Sequence, residues 1–481
     1  MTAHHPAEAR AVALAGKLRG LASGAREIDD AGVAVRGSLP DWLRGDLLLN
    51  GPALWDLPDG SYAHWFDGLA MLHRVRIAPG GASYRSRFLR SRDYLESLEA
   101  GHPAYGGFGS PEPQPWWQRL RQLRQPRVTD NGAVVMSRID GRWVAQTETP
   151  LLTEFDPDTL ETVGRFAFED HEPLHLMSAH GITEADGTYW NVGAEFGPHC
   201  SYKVFRVRPG SRRREVLARI PVGKPGYLHA FALTPQHVLV WEPALRAHMF
   251  RFMFSGSPYM DKFAWEPEGG SRIHRISRAD GRVQTWTVPP MMAFHAVQAW
   301  EDGDDTVLDL CTWGDGIFAD LRLDRLRAGR PPASSLEVVR YRLAAGATAA
   351  LPQRLAERVE LPAVHGSRYS RSRARFAWGA GLDPAGQAPM FDRTVKLDLD
   401  GASVAGTWQR PEGAVQMEPL MVDRPGSGDE EDGVLLVPTL ADGDAGTVLA
   451  VLDAASMQCL ATLELPQVVP FGFHAAWNGP A

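Results

Sequence analysis

Residues 291–301 read MMAFHAVQAWE and set one histidine, His295, in a run of methionine, alanine, phenylalanine, valine and tryptophan. A buried imidazole must find a hydrogen-bond partner or a metal, because leaving it bare is costly. The pattern recurs. YLHAFALT (227–234) places His229 between Leu228 and Ala230, and PFGFHAAW (470–477) places His474 between Phe473 and Ala475. A fourth histidine, His180, lies in HLMSAHGIT (175–183), between Ala179 and Gly181. Separations of 49, 66 and 179 residues rule out a site encoded by local helical spacing. Only a closed fold that brings distant strands to one axis would gather these four, and a β-propeller does so.

The rest of the chain agrees with an all-β fold. Asp-Gly occurs ten times and Asn-Gly three times, and both favour the tight turns of antiparallel hairpins. Between them run SYKVFRV, HVLVWEP, DTVLDLCTW, GVLLVPTL and GTVLAVLD, which read as strands. Helical periodicity is confined to residues 6–23 and 116–124. At 481 residues the chain is too large for one sandwich, and no WD or kelch-type repeat is detectable. The acidic loop 424–433 is flanked by strands and reads as no linker. The expected organisation is a tail or helix over residues 1–27 and a single domain over 28–481.

Composition narrows the function. Hydrophobic content of 44% and charged content of 22% are ordinary for a globular protein. A net charge of -8 argues against nucleic acid, which wants a basic face. Three cysteines without a CxxC pair fit a reducing compartment and exclude a thiolate zinc site. The start has neither a signal peptide nor a transmembrane run, so the chain reads as cytoplasmic.

With HWFDGLAMLH at 64–73 and the four histidine segments in order, residues 28–478 resemble the carotenoid cleavage oxygenases. The resemblance implies a seven-bladed β-propeller with a helical and loop cap over an axial metal site. It implies one Fe(II) per chain, held by His180, His229, His295 and His474. Three glutamates would hold the imidazoles through their other N–H groups: Glu148 in AQTETPLLTEFDP, Glu360 in VELP and Glu418 in QMEPLMV. Motif matching places Phe66, Thr147, Tyr227, Phe294, Trp313 and Phe473 along the substrate tunnel. It gives His64 and His73 a structural or cavity-lining place. His171, His175 and His199 read as surface or loop residues.

The implied chemistry is addition of O2 across one C=C of an apolar conjugated alkene, releasing two carbonyl fragments. AQTET and the segment 249–268 resemble the branch holding β-carotene oxygenases and the retinoid isomerase. The expected substrate is a carotenoid or apocarotenoid, with retinal as the product of central β-carotene cleavage. Stilbene-cleaving members carry a lysine where this chain has Thr147, which counts against a phenolic stilbene. Cleavage of a stilbene or phenylpropanoid alkene stays open as the alternative. So do retinoid isomerohydrolase chemistry and a non-catalytic propeller that binds apolar ligands. Finally, PQPWWQRLRQLRQP (113–126) offers Trp116, Trp117, Leu120 and Leu123 between arginines, the composition of an interfacial helix. It predicts peripheral contact with the inner membrane face; a cap helix packed on the body is the other reading.

Overall fold

The computed structural model describes residues 14–113, 127–386 and 388–479. The strands read from the sequence are present, including Cys200–Val207, His237–Glu242, Asp305–Trp313, Gly433–Leu440 and Val448–Asp453. The Asp-Gly signal works as its chemistry requires. Asp140 and Gly141 take φ of 52° and 73° and turn Val135–Ile139 back onto Arg142–Gln146.

The sheets give an all-β, propeller-like architecture. Five separate sheets of four or five antiparallel strands follow one another along the chain. A sixth sheet has ten strands and contains both ends of the described chain. Seven separate blades are therefore not what the strands form. The cause is the strand Ile28–Gly37. Its first half pairs with Gly81–Phe88, and from Ala34 to Gly37 it pairs with Cys459–Glu464. A register shift between Ile28 and Ala31 and a positive φ of 39° at Asp30 bend its first half, before the change of partner at Ala34. The last strand, His474–Asn478, adds to Gly45–Leu54 at the far edge of this sheet.

Neighbouring sheets are tied by buried tryptophans. The indole N–H of Trp241 donates to Ala293 O at 3.1 Å, and that of Trp378 donates to Ala454 O at 3.1 Å. Each ring fills the space between two sheets while its polar atom stays satisfied.

Helices are short. Arg92–Ala100 is capped by Ser91, whose hydroxyl accepts from Tyr94 N. Met249–Phe254, Ile317–Asp320 and Leu323–Arg327 are shorter still. The expected helix over 6–23 reduces, within the described residues, to a single 3-10 stretch at Gly16–Leu21. It lies on the body, where Arg327 donates to Leu21 O at 2.9 Å. The proposed interfacial segment, with Trp116, Trp117, Leu120 and Leu123, lies outside the described residues.

Candidate metal centre

The functional side chains sit at breaks, bulges and ends of strands. His180 falls between Leu176–Met177 and Ile182–Thr183, which both pair with Tyr189–Glu195. His295 lies at a register shift between Ala293 and Ala296, and Glu360 at one between Glu360 and Ala363. Glu418 sits in the gap between Val415–Gln416 and Leu420–Asp423. Glu148 follows Arg142–Gln146, His229 precedes Ala232–Leu233, and His474 opens the final strand. A regular pleat points side chains to the sheet faces; a bulge or break re-aims them.

All four histidines converge, with one ring nitrogen of each within 4.8 Å of the others. His180 Nε2 is 3.1 Å from His229 Nε2. His229 Nε2 is 3.3 Å from His295 Nε2, which is 3.2 Å from His474 Nε2. The other ring nitrogens meet the three expected glutamates. His229 Nδ1 lies 2.6 Å from Glu148 Oε1, His295 Nδ1 2.7 Å from Glu360 Oε2, and His474 Nδ1 3.0 Å from Glu418 Oε1.

This pattern sets the tautomers. A carboxylate accepts, so each of these Nδ1 atoms carries the proton and each Nε2 presents a lone pair. Lone pairs facing one another at 3.2–3.3 Å repel unless a cation sits among them. Two imidazole nitrogens bound side by side to one ion at about 2.1 Å lie roughly 3 Å apart, which these distances match. Burial, then the neighbouring imidazoles, hold His180 and His229 well below the usual histidine range, which keeps them neutral and available as ligands. Burial pushes Glu148 up to about 8, against the pull of its Tyr227 hydrogen bond, and a cation among the imidazoles would act the other way and favour the carboxylate. Glu148 Oε1 accepts from both Tyr227 Oη and His229 Nδ1.

An apolar cavity opens beside this cluster. Its wall includes Phe66, Phe294, Trp313 and Phe473, as the sequence predicts, together with His229, His295 and His474. Phe108 also belongs to it; its ring stands 5.1 Å from Phe66. Thr147 and Tyr227 are the other two residues expected along the tunnel. Both are buried beside Glu148 but are not part of this cavity's lining. Tyr227 reaches the site through its hydroxyl, and its ring packs edge-on against Phe294.

Several supports had no signal in the sequence. Trp313 Nε1 donates to Glu360 Oε1 at 3.1 Å, and Ala475 N donates to Glu418 Oε2 at 2.6 Å. His64 and His73 are buried, whereas His171 and His199 are exposed and His175 is half-buried. His64 Nδ1 accepts from Phe66 N at 3.2 Å, so its Nε2 donates to Phe318 O at 3.0 Å.

Sheets that gather four histidines and three glutamates beside an apolar cavity define a propeller-like protein with a cluster that could hold a metal ion. Comparison with known proteins narrows the class. The sequence profile of the family described as retinal pigment epithelial membrane protein matches residues 21–479. The chain belongs to this family, that of the carotenoid cleavage oxygenases. It is 32% identical to the chloroplastic carotenoid cleavage dioxygenase 8 homolog A of Oryza sativa subsp. japonica, over 96% of this chain and 87% of that one. It is 29% identical to the mitochondrial carotenoid-cleaving dioxygenase of Mustela putorius furo, over 92% and 93%. In fold it is similar to cobalt-substituted Synechocystis apocarotenoid oxygenase, with a TM-score of 0.84 at 23% identity, covering 96% and 98% of the two chains.

Proposed function

We propose that this chain is an Fe(II)-dependent oxygenase that cleaves one C=C bond of a carotenoid or apocarotenoid with O2, leaving a carbonyl on each fragment. The observation that carries the reading is the set of imidazole nitrogens converging at the wall of an apolar cavity. His180, His229, His295 and His474 would hold the ion, and Fe(II), when bound, supplies O2 binding and activation. Glu148, Glu360 and Glu418 keep the protons on Nδ1 and leave Nε2 free. Phe66, Phe294 and Phe473 offer a dry aromatic wall against which a conjugated chain lies. No side chain is required to move a proton. The relatives' names, carotenoid-cleaving and carotenoid cleavage dioxygenase, support the substrate class.

The test is anaerobic loading with Fe(II), a metal assay, and incubation with β-carotene in detergent under air. Iron near one per chain and carbonyl products, retinal if cleavage is central, are expected. His295→Ala or His474→Ala should abolish both; full turnover in either variant overturns the proposal.

Architecture extends the same reading. Counting the ten-stranded sheet as two blades that share Ile28–Gly37 gives seven, and the short helix Ile317–Asp320 caps the site by packing Phe318 against Phe294 and Tyr227. Residues 28–481 would then be one domain, supported by the presence of the first and last described strands in one sheet.

The expected membrane contact gains support from a second patch. Phe250 and Phe254, on the helix Met249–Phe254, are 67% and 42% exposed, with ring centroids 4.8 Å apart and Arg251 between them in sequence. Glu112 N donates to Gly256 O, which sets residue 112 near this helix. A lipid surface is the proposed occupant, on the cytoplasmic side of the inner membrane. Among the described residues no helix is long and apolar enough to cross a membrane. Liposome flotation should weaken when Phe250 and Phe254 are changed to serine; equal binding removes the membrane proposal.

A further inference from the structure

His180 stands apart from the other three site histidines. Among the described residues no carboxylate bonds its ring, and it is followed by Gly181 where the others are followed by alanine. Its neighbourhood explains both differences. A one-directional chain of buried hydrogen bonds runs beneath it. Asn191 Nδ2 donates to Tyr189 Oη at 2.6 Å, and Tyr189 Oη donates to Gln146 Oε1 at 2.8 Å. Gln146 Nε2 donates to Ser137 Oγ at 2.5 Å, and Ser137 Oγ donates to the carbonyl of Gly181 at 3.1 Å. Asn191 Nδ2 also donates to the carbonyl of Ser178 at 3.1 Å. The segment 178–181 is thus gripped by its carbonyls on both sides of His180.

Ser178 adds a cross-link. Its hydroxyl accepts from His180 N at 3.1 Å and donates to His229 O at 2.7 Å, joining the backbones of two site histidines. Gln146, Ser178, Tyr189 and Asn191 are fully buried, so each lost bond would strand a polar group away from water. The glycine is required by close approach: a Cβ at position 181 would stand 2.2 Å from the Tyr189 ring and hydroxyl. Gln146 and Glu148, two residues apart at the end of one strand, therefore serve two different histidines, one through a relay and one directly.

We infer that the Asn191–Tyr189–Gln146–Ser137 relay, with Ser178, positions His180 as a metal ligand in place of the carboxylate that supports each of the other three. The inference rests on the reading of the four histidines as a metal site. These are positioning residues, since none of them reaches the ion itself. Outer supports of this kind are typically worth roughly ten- to a hundredfold in metal affinity.

The experiment is Co(II) binding by the full-length apo chain, followed by competition titration and by the Co(II) absorption and X-ray absorption spectra. The wild type should show a four-imidazole site, and His180→Ala supplies the three-imidazole reference. Tyr189→Phe and Ser137→Ala should bind Co(II) roughly ten- to a hundredfold more weakly, with spectra displaced toward that reference and melting of the apo chain near wild type. Ser137→Thr, which keeps the hydroxyl, should restore both affinity and spectrum. Wild-type affinity and spectrum in folded Tyr189→Phe or Ser137→Ala overturns the inference. If Tyr189→Phe does not fold, Ser137→Ala, which deletes a single hydroxyl, decides it. A wild-type chain with no imidazole-bound Co(II) overturns the metal reading itself, and the relay inference with it.

Discussion

Glu360 shows how much one carboxylate can organise. Its Oε2 lies 2.7 Å from His295 Nδ1, its Oε1 accepts from Trp313 Nε1 at 3.1 Å, and its own chain folds back so that Leu361 N also donates to it. Removing the charge while keeping the shape isolates the electrostatic part. Glu360→Gln should lower metal affinity by roughly ten- to a hundredfold, read by competition with a coloured chelator; an unchanged affinity would show that the carboxylate does not tune His295. Trp313→Phe keeps an aromatic ring in the cavity wall and removes the donor along with part of the indole. It should give a smaller loss in the same titration, because His295 and Leu361 still hold the carboxylate. A loss equal to that of Glu360→Gln would contradict this ranking.

The elements that carry the site are strained where they carry it. Arg358 and Leu361 flank Glu360 with φ of 62° and 52°, in the left-handed region that L side chains avoid. The register shift between Glu360 and Ala363 accompanies them. Backbone in this region persists only when its surroundings hold it, and here the carboxylate contacts do so. Leu361→Ile keeps the volume but adds a β-branch at positive φ. It should cost about 1–3 kcal/mol of stability and weaken metal binding by displacing Glu360. Melting and metal affinity both at wild-type levels would mean the strain does not matter. The same breaks explain what could be read from the chain. Alternation and Asp-Gly turns mark regular strands such as Asp305–Trp313, whereas nothing local marks Glu418 as lying in the gap before Leu420–Asp423.

Across the whole molecule, buried histidines outside the metal cluster couple stability to pH. Burial depresses His64 to about 4, His73 to about 3 and His274 to about 4. In the unfolded chain each titrates near 6.5. Below that pH the unfolded chain binds protons that the folded chain refuses, so stability falls as pH falls toward the folded values. Between pH 7 and 5 the loss is about 2 kcal/mol per histidine. Asp67, raised to about 6 by burial, opposes this. It takes up its proton more readily when folded and offsets about 1 kcal/mol over the same window. Urea midpoints should therefore drop between pH 7 and 5, and His73→Gln should flatten the dependence. An equally steep profile in that variant would remove His73 from the account.

The sequence by itself determined the strand content and the order of the four histidine segments, while the three glutamates entered only as what the resemblance to the family implies. These are local properties: alternation, turn dipeptides and an imidazole in an apolar run. Tertiary structure alone decided which histidine each glutamate meets, and that a relay from Asn191 to the Gly181 carbonyl runs beside His180. It also decided that Ile28–Gly37 joins what would be two sheets, and that the Tyr227 hydroxyl donates to Glu148. The reason is distance along the chain. His229 and Glu148 are 81 residues apart, and His474 and His295 are 179 apart. Only closure of the sheets, with their inner strands broken toward the axis, sets which donor meets which acceptor.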